Sequence, residues 1–91
     1  MNAFVVFDVS DKLAEVKAGL KQKGYWSSWI AKSGTYYLPA NSMWKPDCDL
    51  QQAKKDVEDV VRRVTGNGSM ISLQRCIVLS VNPWEGIVGM P

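Results

Sequence analysis

Two side chains sit where their type and setting suggest chemistry. Asp8 closes the apolar run Ala3-Phe-Val-Val-Phe7 and is followed by Val9 and Ser10. A carboxylate at the end of a strand can stay ionised and bind a hard divalent cation such as Mg²⁺ through oxygen. One carboxylate makes a poor Mg²⁺ site, but a two-fold dimer would bring two copies together. The plainer reading of Asp8 is an aspartate at a turn or helix start. Arg75 interrupts the apolar face of the last strand candidate, so its guanidinium calls for a carboxylate, phosphate or carbonyl partner. A β-bulge that returns it to solvent is the competing reading. Asp8 and Arg75 are the catalytic candidates, and Asp8 is also the metal candidate.

Much other chemistry is excluded. The 91 residues contain no histidine, which removes Ser–His and Cys–His catalysis. There is no glycine-rich phosphate loop and no HExxH motif. Cys48 and Cys76 are the only cysteines and have no partners at metal-ligand spacing, which argues against zinc. Two free buried thiols in a reducing compartment is the reading preferred over one disulfide.

A second group of residues suits binding. Lys12, Lys17, Lys21 and Lys23 crowd the first helical region against Glu15 alone, although the net charge is only +2. Such a face can meet phosphate or simply be solvated. Further on, Trp26, Trp29, Lys32, Tyr36, Tyr37, Trp44 and Lys45 interleave aromatics with cations. Single-stranded nucleic acid is held by such mixtures, through stacking and phosphate contact. Aromatics in a small sheet also serve as core or as a subunit interface. Lys12, Lys17, Trp26, Trp29, Lys32, Tyr37 and Trp44 are the candidates for contact with nucleic acid or a protein partner.

The elements that must position these residues read as follows. Ala3 to Phe7 predicts a strand buried on both faces. Ser10 or Asp11 can cap the next segment, where Leu13, Val16 and Leu20 form one helical stripe. Gly24 supplies a left-handed helix end. Tyr25 to Ala31 is rich in strand formers, and Lys32-Ser33-Gly34 reads as a turn. Thr35–Leu38 and Ser42–Lys45 are both candidates for the third core strand, one of them being the extension of a long hairpin. Asp49 with Gln52 forms a capping-box pattern ahead of a stripe of Leu50, Ala53, Val57, Val60, Val61 and Val64. Glu58–Arg62 and Asp59–Arg63 are spaced as i, i+4 pairs on the wet side, and Gly66-Asn67-Gly68 ends the helix. Met70 to Val81 predicts the last strand, with Ile71, Leu73, Ile77, Leu79 and Val81 on one face. Asn82-Pro83 stops it, and the apolar tail (Trp84, Ile87, Val88, Met90) is expected to pack on its own sheet or on a partner.

The order β-α-β-β-α-β predicts a single α+β domain over residues 1–91. It is a ferredoxin-like split βαβ fold, with a four-stranded antiparallel sheet and two helices on one face. A chain this short has a thin stability margin. Its four tryptophans and apolar first strand point to a homodimer that covers the second sheet face. The N-terminus lacks the pattern of a signal peptide, and no apolar run reaches the ~18 residues of a membrane span. A cytoplasmic location without a membrane partner is therefore expected.

Several of these features together resemble a family. Val6-Phe-Asp-Val-Ser10, the lysine-rich helix, Gly24-Tyr-Trp26 and the valine-rich second helix resemble the small CRISPR-associated protein two superfamily. That superfamily includes VapD-type ribonucleases and GhoS-type endoribonuclease antitoxins. The GhoS type is the nearest in local order: Trp26-Ser27-Ser28 before apolar residues, Leu38, Asn41-Ser42 before an aromatic, then Leu50 and an acidic, valine-containing helix. The likeness spans most of residues 4–81 and is built of short, common motifs. It implies a ferredoxin-like dimer acting on RNA or DNA, in some members with a metal held by the strand-one aspartate, here Asp8. The GhoS-type branch implies sequence-selective RNA cleavage, and its functional arginine has no fixed counterpart here; Arg75 is taken on its strand position alone. Two function classes follow. One is a nuclease-like or antitoxin-like homodimer acting on RNA or DNA. The other is a non-catalytic interaction module, of the phage or plasmid accessory kind, binding protein or nucleic acid through its aromatic surface.

Overall fold

The computed structural model describes residues 2–66 and 71–81. The chain runs β1 (Asn2–Val9), α1 (Leu13–Gln22), β2 (Ser28–Ala31), β3 (Gly34–Tyr37), β4 (Ser42–Lys45), α2 (Leu50–Thr65) and β5 (Leu73–Val81). It is an α+β arrangement in which β1 is the centre of an antiparallel sheet ordered β4-β1-β5. Strands β2 and β3 form a separate two-stranded hairpin, registered from Ser28 opposite Tyr37 to Ala31 opposite Gly34.

Both helices and three sheet strands lie where the sequence puts them. The choice between Thr35–Leu38 and Ser42–Lys45 falls to the latter: β4 joins the core sheet and β3 is hairpin. Among the described residues the continuous ladder has three strands, not the four expected. Beside β4 there is only a single bridge between Trp26 and Trp44, with backbone hydrogen bonds of 2.8 and 3.0 Å in the two directions.

The core forms because β1 alternates. Ala3, Val5 and Phe7 point inward and are buried, while Phe4 and Val6 are only half-buried on the other face. The expectation that β1 is buried on both faces is corrected to one buried face and one half-covered face. The inward residues meet Val16 and Leu20 of α1, Ala53, Val57, Val60 and Val61 of α2, and Met43 of β4. Each large apolar side chain buried this way contributes roughly 1.5–3 kcal/mol. The helices approach closely at Gly19, where an added Cβ would stand 2.7 Å from Val60 Cγ1.

The helix ends differ in part from expectation. Gly24 has the expected positive φ, 96°. At the start of α1, however, neither Ser10 nor Asp11 caps the helix. The N-cap position belongs to Lys12 in left-handed conformation, with no side-chain cap. Asp11 Oδ1 accepts from the Lys12 amide at 2.8 Å, and Ser10 Oγ accepts from the Ser72 amide at 2.9 Å. Asp49 does cap α2, accepting from the Gln52 amide at 2.7 Å. The reciprocal half of a capping box is replaced, because the Gln52 side chain turns to Asp56. On the wet side the ion pair is Asp59–Arg62, i, i+3 at 3.1 Å.

Strand β5 changes phase. Val9 lies opposite Leu73 and Asp8 opposite Arg75, so Gln74 is an extra residue at a bulge. Beyond it Cys76 and Val78 face the core, while Ile77 and Leu79 are 59% and 48% exposed. The predicted single apolar face through Leu73, Ile77 and Leu79 is thus broken, because one inserted residue exchanges the two faces. Met70, Asn67-Gly68 and the tail from Asn82 lie outside the described residues.

Candidate functional site

The bulge decides where Arg75 goes. Residues directly opposite on neighbouring antiparallel strands share a face, so Asp8 and Arg75 stand together on the sheet side away from the core. Arg75 Nη2 lies 2.8 Å from Asp8 Oδ2, with the arginine side chain 81% exposed and the aspartate 33%. Asn41 Nδ2 donates to the other carboxylate oxygen, Oδ1, at 3.1 Å. The two side chains singled out for chemistry therefore meet, and Asn41, which sequence reasoning missed, completes the group. Its position just before β4, whose Ser42 lies opposite Val6, brings it there.

This arrangement does not fit a Mg²⁺ site within one chain. Asp8 is a single carboxylate whose two oxygens are met by Arg75 and Asn41, and one carboxylate holds Mg²⁺ poorly. Among the described residues no three His, Cys, Asp or Glu side chains cluster as ligands. What the group can do is present a guanidinium and a carboxylate at hydrogen-bonding distance from each other on an open surface.

The aromatic candidates separate into two pairs. Trp29 and Trp44 pack on each other, with ring centroids 4.4 Å apart, and Trp44 Nε1 donates to the Ser28 carbonyl at 2.7 Å. They fasten the hairpin to β4 and are half-buried. Trp26 and Tyr37 are exposed, Trp26 by 52%, as is Ile30 between them. Lys12 and Lys32 are exposed, and Lys17 is half-buried on α1. Lys12 starts α1 two residues beyond Ser10, which is tied to Ser72, so it shares the sheet end that carries Asp8 and Arg75.

A second polar cluster lies inside. Asp56 is 4% exposed on the buried stripe of α2. Its Oδ2 accepts from the Tyr25 hydroxyl at 2.9 Å and lies 4.0 Å from Lys45 Nζ. Its Oδ1 accepts from Gln52 Nε2 at 2.8 Å. Lys45 also lies over the Tyr25 ring, 5.5 Å from its centroid. Burial, then the Asp56 hydrogen bond and charge, push the Tyr25 phenol far above its ordinary range. The Cys48 thiol stands 3.9 Å from that hydroxyl. Cys48 and Cys76 are both free, as expected, but only Cys48 is buried and Cys76 is half-buried. Sequence reasoning missed this cluster; the available signal was an aspartate standing on the Ala53–Val57–Val60 stripe. No helix among the described residues is long and apolar enough to cross a membrane. Comparison with protein-family models, curated proteins and solved structures returned no significant match.

Proposed function

We propose that the chain acts on RNA or DNA as a nuclease-like or antitoxin-like homodimer, with RNA the better-suited substrate. The observation that supports this is the 2.8 Å pairing of Asp8 with Arg75 on an exposed face, next to Asn41. An exposed ion pair is weak, contributing about 0.2–1 kcal/mol, so an arriving phosphate can draw the guanidinium away. Arg75 then stabilises the phosphate charge. The released Asp8 carboxylate accepts the proton of the adjacent 2′-hydroxyl. The 2′-oxygen bonds to phosphorus, the bond from phosphorus to the 5′-oxygen breaks, and the departing oxygen takes a proton from water, whose hydroxide takes up the proton held by Asp8 and restores the carboxylate. DNA lacks that hydroxyl, which is why RNA suits the pair better. No metal enters these steps.

The outer sheet face supports the dimer reading: Phe4, Val6, Ile77 and Leu79 form an apolar patch there, which a second copy would cover while leaving Asp8 and Arg75, at the end of the same face, at its rim. The order β5-β1-β4 with the Trp26 segment beside it is also the order of a ferredoxin-like split βαβ sheet whose outer strand is reduced to one bridge. Free thiols suit a cytoplasmic setting.

A second reading has its own support. Exposed Trp26, Ile30 and Tyr37 suit an interaction module that binds a protein or nucleic acid without cleaving it. Incubation of the wild type and Asp8→Asn with single-stranded RNA, in EDTA and in Mg²⁺, separates the two. The nuclease reading expects cleavage in both buffers that the well-folded variant loses. Wild-type protein inert toward RNA and DNA across several metals would leave the interaction module.

A further inference from the structure

Away from Asp8 and Arg75, the end of α1 and the segment leading into β2 enclose a cleft of about 380 Å³, lined by Lys21, Gly24, Tyr25, Trp26, Ser27 and Ser28. Trp26 keeps half of its surface open, although its backbone is clamped to Trp44 in both directions. The ring is therefore held at the cleft by a fixed main chain. Among the described residues one cation lines the cleft: Lys21, in the last turn of α1, where a cation also complements the helix dipole. Lys45 is turned instead to Asp56, its Nζ 4.0 Å from the carboxylate.

The nearby helix end does not oppose an anion as strongly as a bare C-terminus would. The Leu20 carbonyl accepts from Lys23 and Tyr25, and that of Lys21 from Gly24, all at 2.9–3.1 Å. A flat open indole beside an exposed ammonium group, in a cleft with room for a ring system, suits an aromatic ligand that carries negative charge. We propose that this cleft holds one base of a single-stranded nucleic acid, stacked on Trp26, with the adjoining phosphate at Lys21. The inference rests on the nucleic-acid reading above and adds where the strand is gripped. The cleft lies along the β4 side of the sheet and Asp8 at the far end of β1, so gripping and cleavage use different residues.

The test uses the full chain and labelled eight-nucleotide oligouridylate and oligothymidylate, with binding followed by anisotropy over a range of salt. Stacking on an aromatic is sequence-tolerant and large, so Trp26→Ala should weaken binding of both strands roughly tenfold while Trp26→Phe retains most of it. Lys21→Gln should lower the salt slope by about 0.7, the share of one single-strand phosphate contact. Both sites are at the surface, and an unchanged melting temperature verifies the fold of each variant. Wild-type affinity and slope in Trp26→Ala and Lys21→Gln would overturn the cleft as the binding site while leaving the nucleic-acid reading intact. Failure of the wild type to bind either strand would overturn both.

Discussion

Among the described residues, two carboxylates each meet a cation and an amide in opposite surroundings. Asp56 is almost fully buried, with Tyr25, Gln52 and Lys45 around it. Asp8 is one-third exposed, and its partner Arg75 is nearly free in water. Burial raises the cost of leaving a charge without partners, so the inner group must stay satisfied for the fold to hold. The outer group can exchange partners cheaply because water replaces whatever leaves. The same residue types therefore act as a structural tie in one place and as an exchangeable, reactive pair in the other.

The strongest way to break this comparison is at the inner end. Val60 is completely buried next to Gly19, and Val60→Asp puts a carboxylate there with no donor prepared for it. A loss above ~4 kcal/mol is expected, enough to unfold so small a domain. Glu58→Ala, on the exposed side of the same helix, should change stability by no more than ~0.5 kcal/mol. Comparable denaturation midpoints for the two would mean that α2 is oriented differently from the description above. Asp56→Ala comes next. It leaves the Tyr25 hydroxyl, the Gln52 amide and Lys45 without their acceptor, at a cost of about 3 kcal/mol, readable by urea denaturation. A loss below 1 kcal/mol would show that water reaches the cluster, and the contrast with Asp8 would collapse.

Alkali sharpens the comparison further. The Tyr25 phenol is held neutral in the fold, its pKa raised above the ordinary 10.0 first by burial and then by Asp56. A group whose folded pKa is raised contributes stability that is fully present below the unfolded pKa and is lost as pH climbs past it. Melting temperature should therefore fall above pH ~10, where the unfolded chain releases a proton that the fold retains. Tyr25→Phe should be less stable at neutral pH by about 1–3 kcal/mol, through the lost hydrogen bond to a carboxylate. Its melting temperature should decline less steeply between pH 9 and 11. Parallel declines in the two proteins would remove Tyr25 as the source.

How much of this was readable beforehand depended on whether the signal was local. Helix α2 announced itself through a long valine stripe and the Asp49 cap, and both are found. The alternation of β1 could not be read, because Phe4 and Val6 are as apolar as Val5 and Phe7; only the three-dimensional packing distinguishes the faces. The phase of β5 was missed for a different reason. A single extra residue, Gln74, reverses every side chain after it, and nothing in the local composition marks a bulge without glycine. That same bulge brings Arg75 to Asp8, so the pairing of the two candidates was not derivable from spacing. Asp56 was visible as a charge on an apolar stripe, but its partner Tyr25 lies 31 residues away, beyond any periodicity.

The smallest expected stability effect is at the outer pair, and it is where structure and activity should come apart. Asp8 and Arg75 face each other across β1 and β5 with most of the guanidinium in water. A double-mutant cycle of Asp8→Asn and Arg75→Gln should therefore give a coupling energy of no more than ~1 kcal/mol. It should shrink further in 1 M salt, where the screening length is only about 3 Å. Asp8→Asn keeps the shape of the side chain and leaves an amide beside Arg75, so the strand register has no reason to shift. Cleavage of single-stranded RNA should nonetheless fall by roughly 10²–10⁴, the usual contribution of a positioned base. A coupling energy of 3 kcal/mol or more would make the pair a structural tie like Asp56, and any loss of activity in Asp8→Asn would then follow from loss of fold. A small coupling energy with a large loss of cleavage is the combination that only a reactive carboxylate produces.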